Sequence, residues 1–137
     1  MATAPKILIV DDQADIGELI RNVAEPMGYA VDVTTSSREA KRLFAALQPD
    51  LVILDIVMPD IDGIELLQVF GSAGFKGKIL LITGYSSNYL ASADKLAKRH
   101  GIATLSSMLK PLRIAELRNY LRQTLPPEDP PQNVTTS

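Results

Sequence analysis

The stretch Leu51–Gly63, LVILDIVMPDIDG, decides the fold. Its first four residues are apolar and largely β-branched or leucine, and the run stops abruptly at Asp55. Unbroken apolarity over so short a length predicts a strand buried on both faces, as in a parallel sheet. The polar, proline- and glycine-bearing segment that follows then reads as a loop.

The same arrangement recurs on either side. Lys6–Val10 (KILIV) ends at Asp11-Asp12, and Ile79–Ile82 (ILLI) ends at Thr83-Gly84. Weaker strands are expected at Ala30–Thr34, after the Gly28-Tyr29 turn, and around Ala103–Leu109, closing at Lys110-Pro111. Between the strands the apolar spacing becomes helical. Ile16, Leu19, Ile20 and Val23 share one face, and Pro26 ends that helix. Ser36 and Glu39 form a capping box before Ala40, Leu43, Phe44 and Leu47. Ile64, Leu67 and Phe70 make a third stripe, Leu90, Ala93, Leu96 and Ala97 a fourth, and Ile114, Leu117, Leu121 and Leu125 a fifth. Five strands alternating with five helices predict an α/β fold with a doubly wound parallel sheet. One domain over residues 1–125 is expected, followed by a proline-rich, disordered tail or linker stub at 126–137.

Composition narrows the function. There is no cysteine and one histidine, His100, which disfavours zinc–thiolate sites, cysteine nucleophiles and Ser-His-Asp triads. Formal charge is -2, which offers no strongly basic footprint for nucleic acid. The late basic residues Lys95, Lys98, Arg99, Arg113, Arg118 and Arg122 are interleaved with apolar positions and read as solvated helix faces. No apolar run approaches the roughly 20 residues of a membrane span, and MATAPK lacks the order of a signal peptide, so a cytoplasmic location is expected.

The chemistry-bearing residues stand at the C-terminal ends of the strands: Asp11, Asp12, Asp55, Thr83 and Lys110. Ligands of open parallel sheets bind outside those ends, where the strand order reverses. Carboxylates about 4 Å apart repel by roughly 4 kcal/mol at an effective dielectric of 20, and one lysine cannot neutralise three of them. A hard, oxygen-seeking cation can, and Mg²⁺ characteristically binds one or two carboxylates together with a phosphate oxygen. Asp55 is then the candidate nucleophile for an aspartyl-phosphate, with Lys110 and the Thr83 hydroxyl facing the phosphoryl oxygens.

Taken in order, VDD, LVILDIVMPDIDG, LLITG and LKP resemble the receiver domain of two-component response regulators, over roughly residues 5–125. The resemblance implies a flavodoxin-like (βα)5 three-layer sandwich, phosphorylated on Asp55 by a histidine kinase or a histidine phosphotransfer protein. It implies Mg²⁺, with Mn²⁺ as a substitute, held by Asp12 and Asp55, by Asp11 mainly through water, and by the Val57 backbone carbonyl. It gives Thr83 and Lys110 the switch roles, lets Pro59 and Gly63 shape the loop, and puts a cis peptide bond before Pro111. It implies no turnover enzyme but a protein that catalyses its own phosphorylation and dephosphorylation. A downstream protein partner is expected, and a homodimer through the face of the fourth helix, fifth strand and fifth helix.

Three features depart from the family pattern. The usual switch aromatic, three positions before the lysine, is Ser107, with Met108 the nearest bulky candidate for its role. The segment between Thr83 and Lys110 is several residues longer than in the single-domain chemotaxis regulator, and the stretch Tyr85–His100 within it predicts an extended fourth helix or a longer entry loop. Val57 and Tyr85, each two residues after a functional position, flank the path of an attacking water, and their bulk predicts slow autodephosphorylation. Competing readings are weaker in residues. An aspartate-nucleophile phosphatase needs a second acid at Val57, a flavodoxin needs a phosphate loop where Asp11-Asp12 stands, and a degenerate receiver would have lost acceptor residues that are present here.

Overall fold

The computed structural model describes residues 4–55, 63–84, 95, 98–99 and 105–124. Five parallel strands form one sheet: β1 (Lys6–Val10), β2 (Ala30–Thr34), β3 (Leu51–Asp55), β4 (Lys78–Thr83) and β5 (Leu105–Leu109), in the order β2-β1-β3-β4-β5. Helices α1 (Ala14–Ala24), α2 (Ser37–Leu47) and α3 (Gly63–Ser72) link successive strands, and a C-terminal helix spans Ile114–Thr124. Of the expected fourth helix only Lys95, Lys98 and Arg99 are described; all three are helical and exposed.

Strand alternation sorts the apolar side chains into two cores, one on each face of the sheet. Leu8 and Val10, Val52 and Leu54, and Ile79 and Leu81 join Ala40, Leu66, Leu67 and Phe70 of α2 and α3. Ile7 and Ile9, Leu51 and Ile53, and Leu80 and Ile82 join Ile20 and Val23 of α1 and Leu117 and Leu121 of the C-terminal helix. That double burial is why β1 and β3 carry no polar alternation. Cutting one such leucine to alanine costs about 2–5 kcal/mol.

Local signals set the ends. Ser36 caps α2, its hydroxyl accepting from the Glu39 amide at 3.3 Å. Helix α1 ends at Ala24, and a 3-10 turn over Glu25–Met27 absorbs Pro26 before Gly28 turns the chain at φ 103°. Tyr29 is buried and its hydroxyl donates to the Leu121 carbonyl at 2.5 Å, tying the start of β2 to the C-terminal helix.

Two expectations change. Ile114 is 44% exposed, because the buried stripe of its helix is made by Leu117 and Leu121. Met108 is buried with Ile82 and Leu117, whereas Ser107 is exposed, so strand alternation turns Met108 away from the face where the switch aromatic would stand.

Candidate functional site

Register places the site before any side chain is considered. Val10 pairs with Leu54, so Asp11 and Asp55 leave adjacent strands side by side. Strand order reverses between β1 and β3, the switch point where such sheets bind ligands. Thr83 pairs with Leu109, which delivers Lys110 to the same edge. The Lys110–Pro111 peptide bond is cis.

Asp11, Asp12 and Asp55 each offer a carboxylate oxygen, and these oxygens lie within 4.8 Å of one another. Asp11 and Asp55 are buried, and Asp12 is the most open of the three. Lys110 donates to Asp55 Oδ2 at 2.9 Å and stands 3.5 Å from Asp11 Oδ2. A third oxygen, Gln13 Oε1, accepts from the same ammonium at 3.1 Å. The Gln13 backbone N–H in turn donates to Asp11 Oδ1 at 2.9 Å.

Burial pushes the Asp11 carboxyl up to about 6; the Gln13 N–H draws it down, the Asp55 charge pushes it up again, and Lys110 offsets part of the rise. Burial pulls the Lys110 ammonium down, but its hydrogen bond to Asp55 and the negative charges of Asp11 and Asp55 prevail and leave it raised. The lysine is therefore firmly cationic.

A divalent cation fits this donor set. Three carboxylates face one ammonium, so the ionised cluster lacks two positive charges. Asp11 Oδ2 is buried, and its contact with the Lys110 ammonium at 3.5 Å is too long for a well-formed hydrogen bond, so a cation would complete its compensation. All the donors are hard oxygens, the ligand type that Mg²⁺ takes.

Of the residues singled out in the sequence, the fold brings together Asp11, Asp12, Asp55 and Lys110. Thr83 ends β4, but its side chain lies outside the described residues, as do Val57, Tyr85, Pro59 and His100. Gln13 is the residue that sequence reasoning missed. A faint signal existed: it stands at the N-cap of α1, where Ser, Thr, Asp or Asn is usual, and its side chain makes no capping bond.

Comparison with known proteins agrees with this geometry. The family model described as response regulator receiver domain matches residues 7–122. The response regulator MprA of Mycolicibacterium vanbaalenii is 34% identical over 127 residues, covering 88% of this chain and 52% of the relative, so the chain spans about half that protein's length. Sporulation initiation phosphotransferase F of Bacillus subtilis is 31% identical over 121 residues, covering 88% of this chain and 94% of the relative. Among solved structures, the Vibrio cholerae chemotaxis protein CheY4 superposes with a TM-score of 0.75 at 26% identity, over 90% of this chain and 100% of the other. Sheet order, acidic cluster and matched length lead to one assignment: the chain belongs to the response regulator receiver domain family.

Proposed function

We propose that this receiver domain accepts a phosphoryl group on Asp55 from a sensor histidine kinase or a histidine phosphotransfer protein, in a reaction that requires Mg²⁺ or Mn²⁺. The observation that carries the reading is the bond from Lys110 Nζ to Asp55 Oδ2 at 2.9 Å, inside a cluster with two further carboxylates. An Asp55 carboxylate oxygen forms the new O–P bond as the bond from phosphorus to the donor nitrogen breaks, and the donor imidazole leaves with the electron pair. Lys110 moves its hydrogen bond from Asp55 to a phosphoryl oxygen, and the Thr83 hydroxyl donates to another. Asp12, Asp55 and the Val57 carbonyl would hold the metal ion, with Asp11 acting mainly through water, and the ion would supply charge neutralisation to the phosphoryl oxygens. The protein acts on itself and is a switch, not a turnover enzyme.

Output is through protein contacts. Leu109, 59% exposed, and Ile114 are the exposed large apolar residues among those described; the first ends β5 and the second opens the C-terminal helix. They support this face as the docking or self-association surface. The relative named a phosphotransferase, matched over 94% of its length, supports onward transfer in a relay as one use of the phosphorylated state.

Incubation with acetyl phosphate and Mg²⁺ followed by intact-mass measurement tests the reading. A gain of one phosphoryl group, lost in Asp55→Asn and on adding EDTA, is the expected result. An unchanged mass for the wild type under these conditions would remove the proposal.

A further inference from the structure

Lysine has three N–H donors, and three oxygens surround the Lys110 ammonium: Asp55 Oδ2 at 2.9 Å, Gln13 Oε1 at 3.1 Å and Asp11 Oδ2 at 3.5 Å. Two of these belong to carboxylates assigned above to the metal and the phosphoryl group. When Asp11 turns to a cation and Asp55 forms its bond to phosphorus, both loosen their hold on the lysine. Gln13 is the remaining acceptor of the three. It is neutral, so it orients the ammonium without cancelling the charge that the phosphoryl oxygens need.

The local backbone favours this use. Gln13 occupies the N-cap of α1, yet its side chain leaves the helix uncapped and reaches a residue 97 positions away. Its backbone N–H meanwhile holds Asp11 Oδ1 at 2.9 Å, which fixes the Gln13 main chain against the acidic cluster. An ammonium has no acceptor lone pair, so the oxygen of the Gln13 amide must be the atom that faces Lys110.

Resting on the function proposed above, we infer that Gln13 is a positioning residue: it tethers the Lys110 ammonium at the mouth of the site while Asp11 and Asp55 engage the metal and the phosphoryl group. It acts through Lys110 and touches no reacting atom.

The test compares phosphorylation rates of the full chain with acetyl phosphate at saturating Mg²⁺. Gln13→Met keeps the side chain's length and removes its amide oxygen. It should slow phosphorylation about fivefold, the loss of one partly solvated hydrogen bond to a charged group, and Gln13→Ala should match it. Mg²⁺ affinity, measured by titration, should change less than about twofold, since the backbone bond to Asp11 survives. In a Lys110→Met background, Gln13→Met should have no further effect. A wild-type rate in Gln13→Met overturns the inference, as does a normal Met variant beside a slow Ala variant, which would mean packing. A slowing that persists without Lys110 overturns it too. Each of these leaves Asp55 phosphorylation itself standing, whereas a wild-type protein that takes no phosphoryl group sinks the functional reading and this inference together.

Discussion

Replacing Asp11 with asparagine should stabilise the metal-free protein at neutral pH while weakening its hold on Mg²⁺. Asp11 is 1% exposed, its carboxyl is pushed up to about 6 from 3.8, and the Lys110 ammonium, 3.5 Å from its Oδ2, offsets only part of that rise. Because the folded-state pKa is raised, the native protein binds the extra proton between about pH 3.8 and 6. Wild-type stability therefore falls as pH climbs through that window, and the loss is complete above it. A difference of about two pKa units corresponds to about 3 kcal/mol. Asparagine keeps the acceptor for the Gln13 N–H and carries no charge, so Asp11→Asn should recover about 1–3 kcal/mol at pH 7.5. That is an upward shift in Tm of roughly 3–10 °C for a domain of this size. Urea unfolding in EDTA, followed by circular dichroism, measures it. At pH 4 and below, where the native aspartate is already protonated, the gain should shrink towards zero. A variant no more stable than wild type at pH 7.5, or an equal gain at both pH values, would refute the electrostatic account.

Proton and Mg²⁺ compete for Asp11, so apparent Mg²⁺ affinity should be level above about pH 6 and fall as pH drops through that value; calorimetric titrations at pH 7.5, 6 and 5 showing no change would contradict this. Once formed, the acyl phosphate should decay more slowly than that of the single-domain chemotaxis regulator, because Val57 and Tyr85 are bulky and apolar or aromatic where polar residues orient water; equally fast decay without added phosphatase counts against it. At Gly17, an added Cβ would stand 2.4 Å from Val33 Cγ1, so Gly17→Ala should destabilise by about 1–3 kcal/mol despite alanine's better helix propensity. Adding Val33→Ala should return part of that loss, and a simple stabilisation by Gly17→Ala would show that the helix–sheet contact has slack.

Much of the fold was legible because its three central strands are buried on both sides. Lys6–Val10 and Ala30–Thr34 form strands over the expected residues, and β3 runs one residue further, to Asp55 itself. The convergence of Asp11, Asp12, Asp55 and Lys110 followed from the rule that parallel sheets bind at the carboxyl ends of their strands, and register then put Asp11 beside Asp55. What the sequence hid depends on side-chain direction. Met108 and Ser107 differ by one position, and only the pleat says which of them enters the core. Ile114 has the spacing of a core residue, but it opens its helix and remains exposed. Gln13 belongs to no motif, and its partner is distant in the chain, so only the fold could reveal the contact.

The central claim is that Asp55 is where the phosphoryl group lands. Treatment with acetyl phosphate and Mg²⁺, reduction of the acyl phosphate with borohydride and peptide mapping by mass spectrometry locate it directly. Reduction confined to Asp55, and absent when Mg²⁺ is withheld, is the predicted result. Reduction at Asp11 or Asp12, or the same yield at Asp55 without a divalent cation, would contradict it.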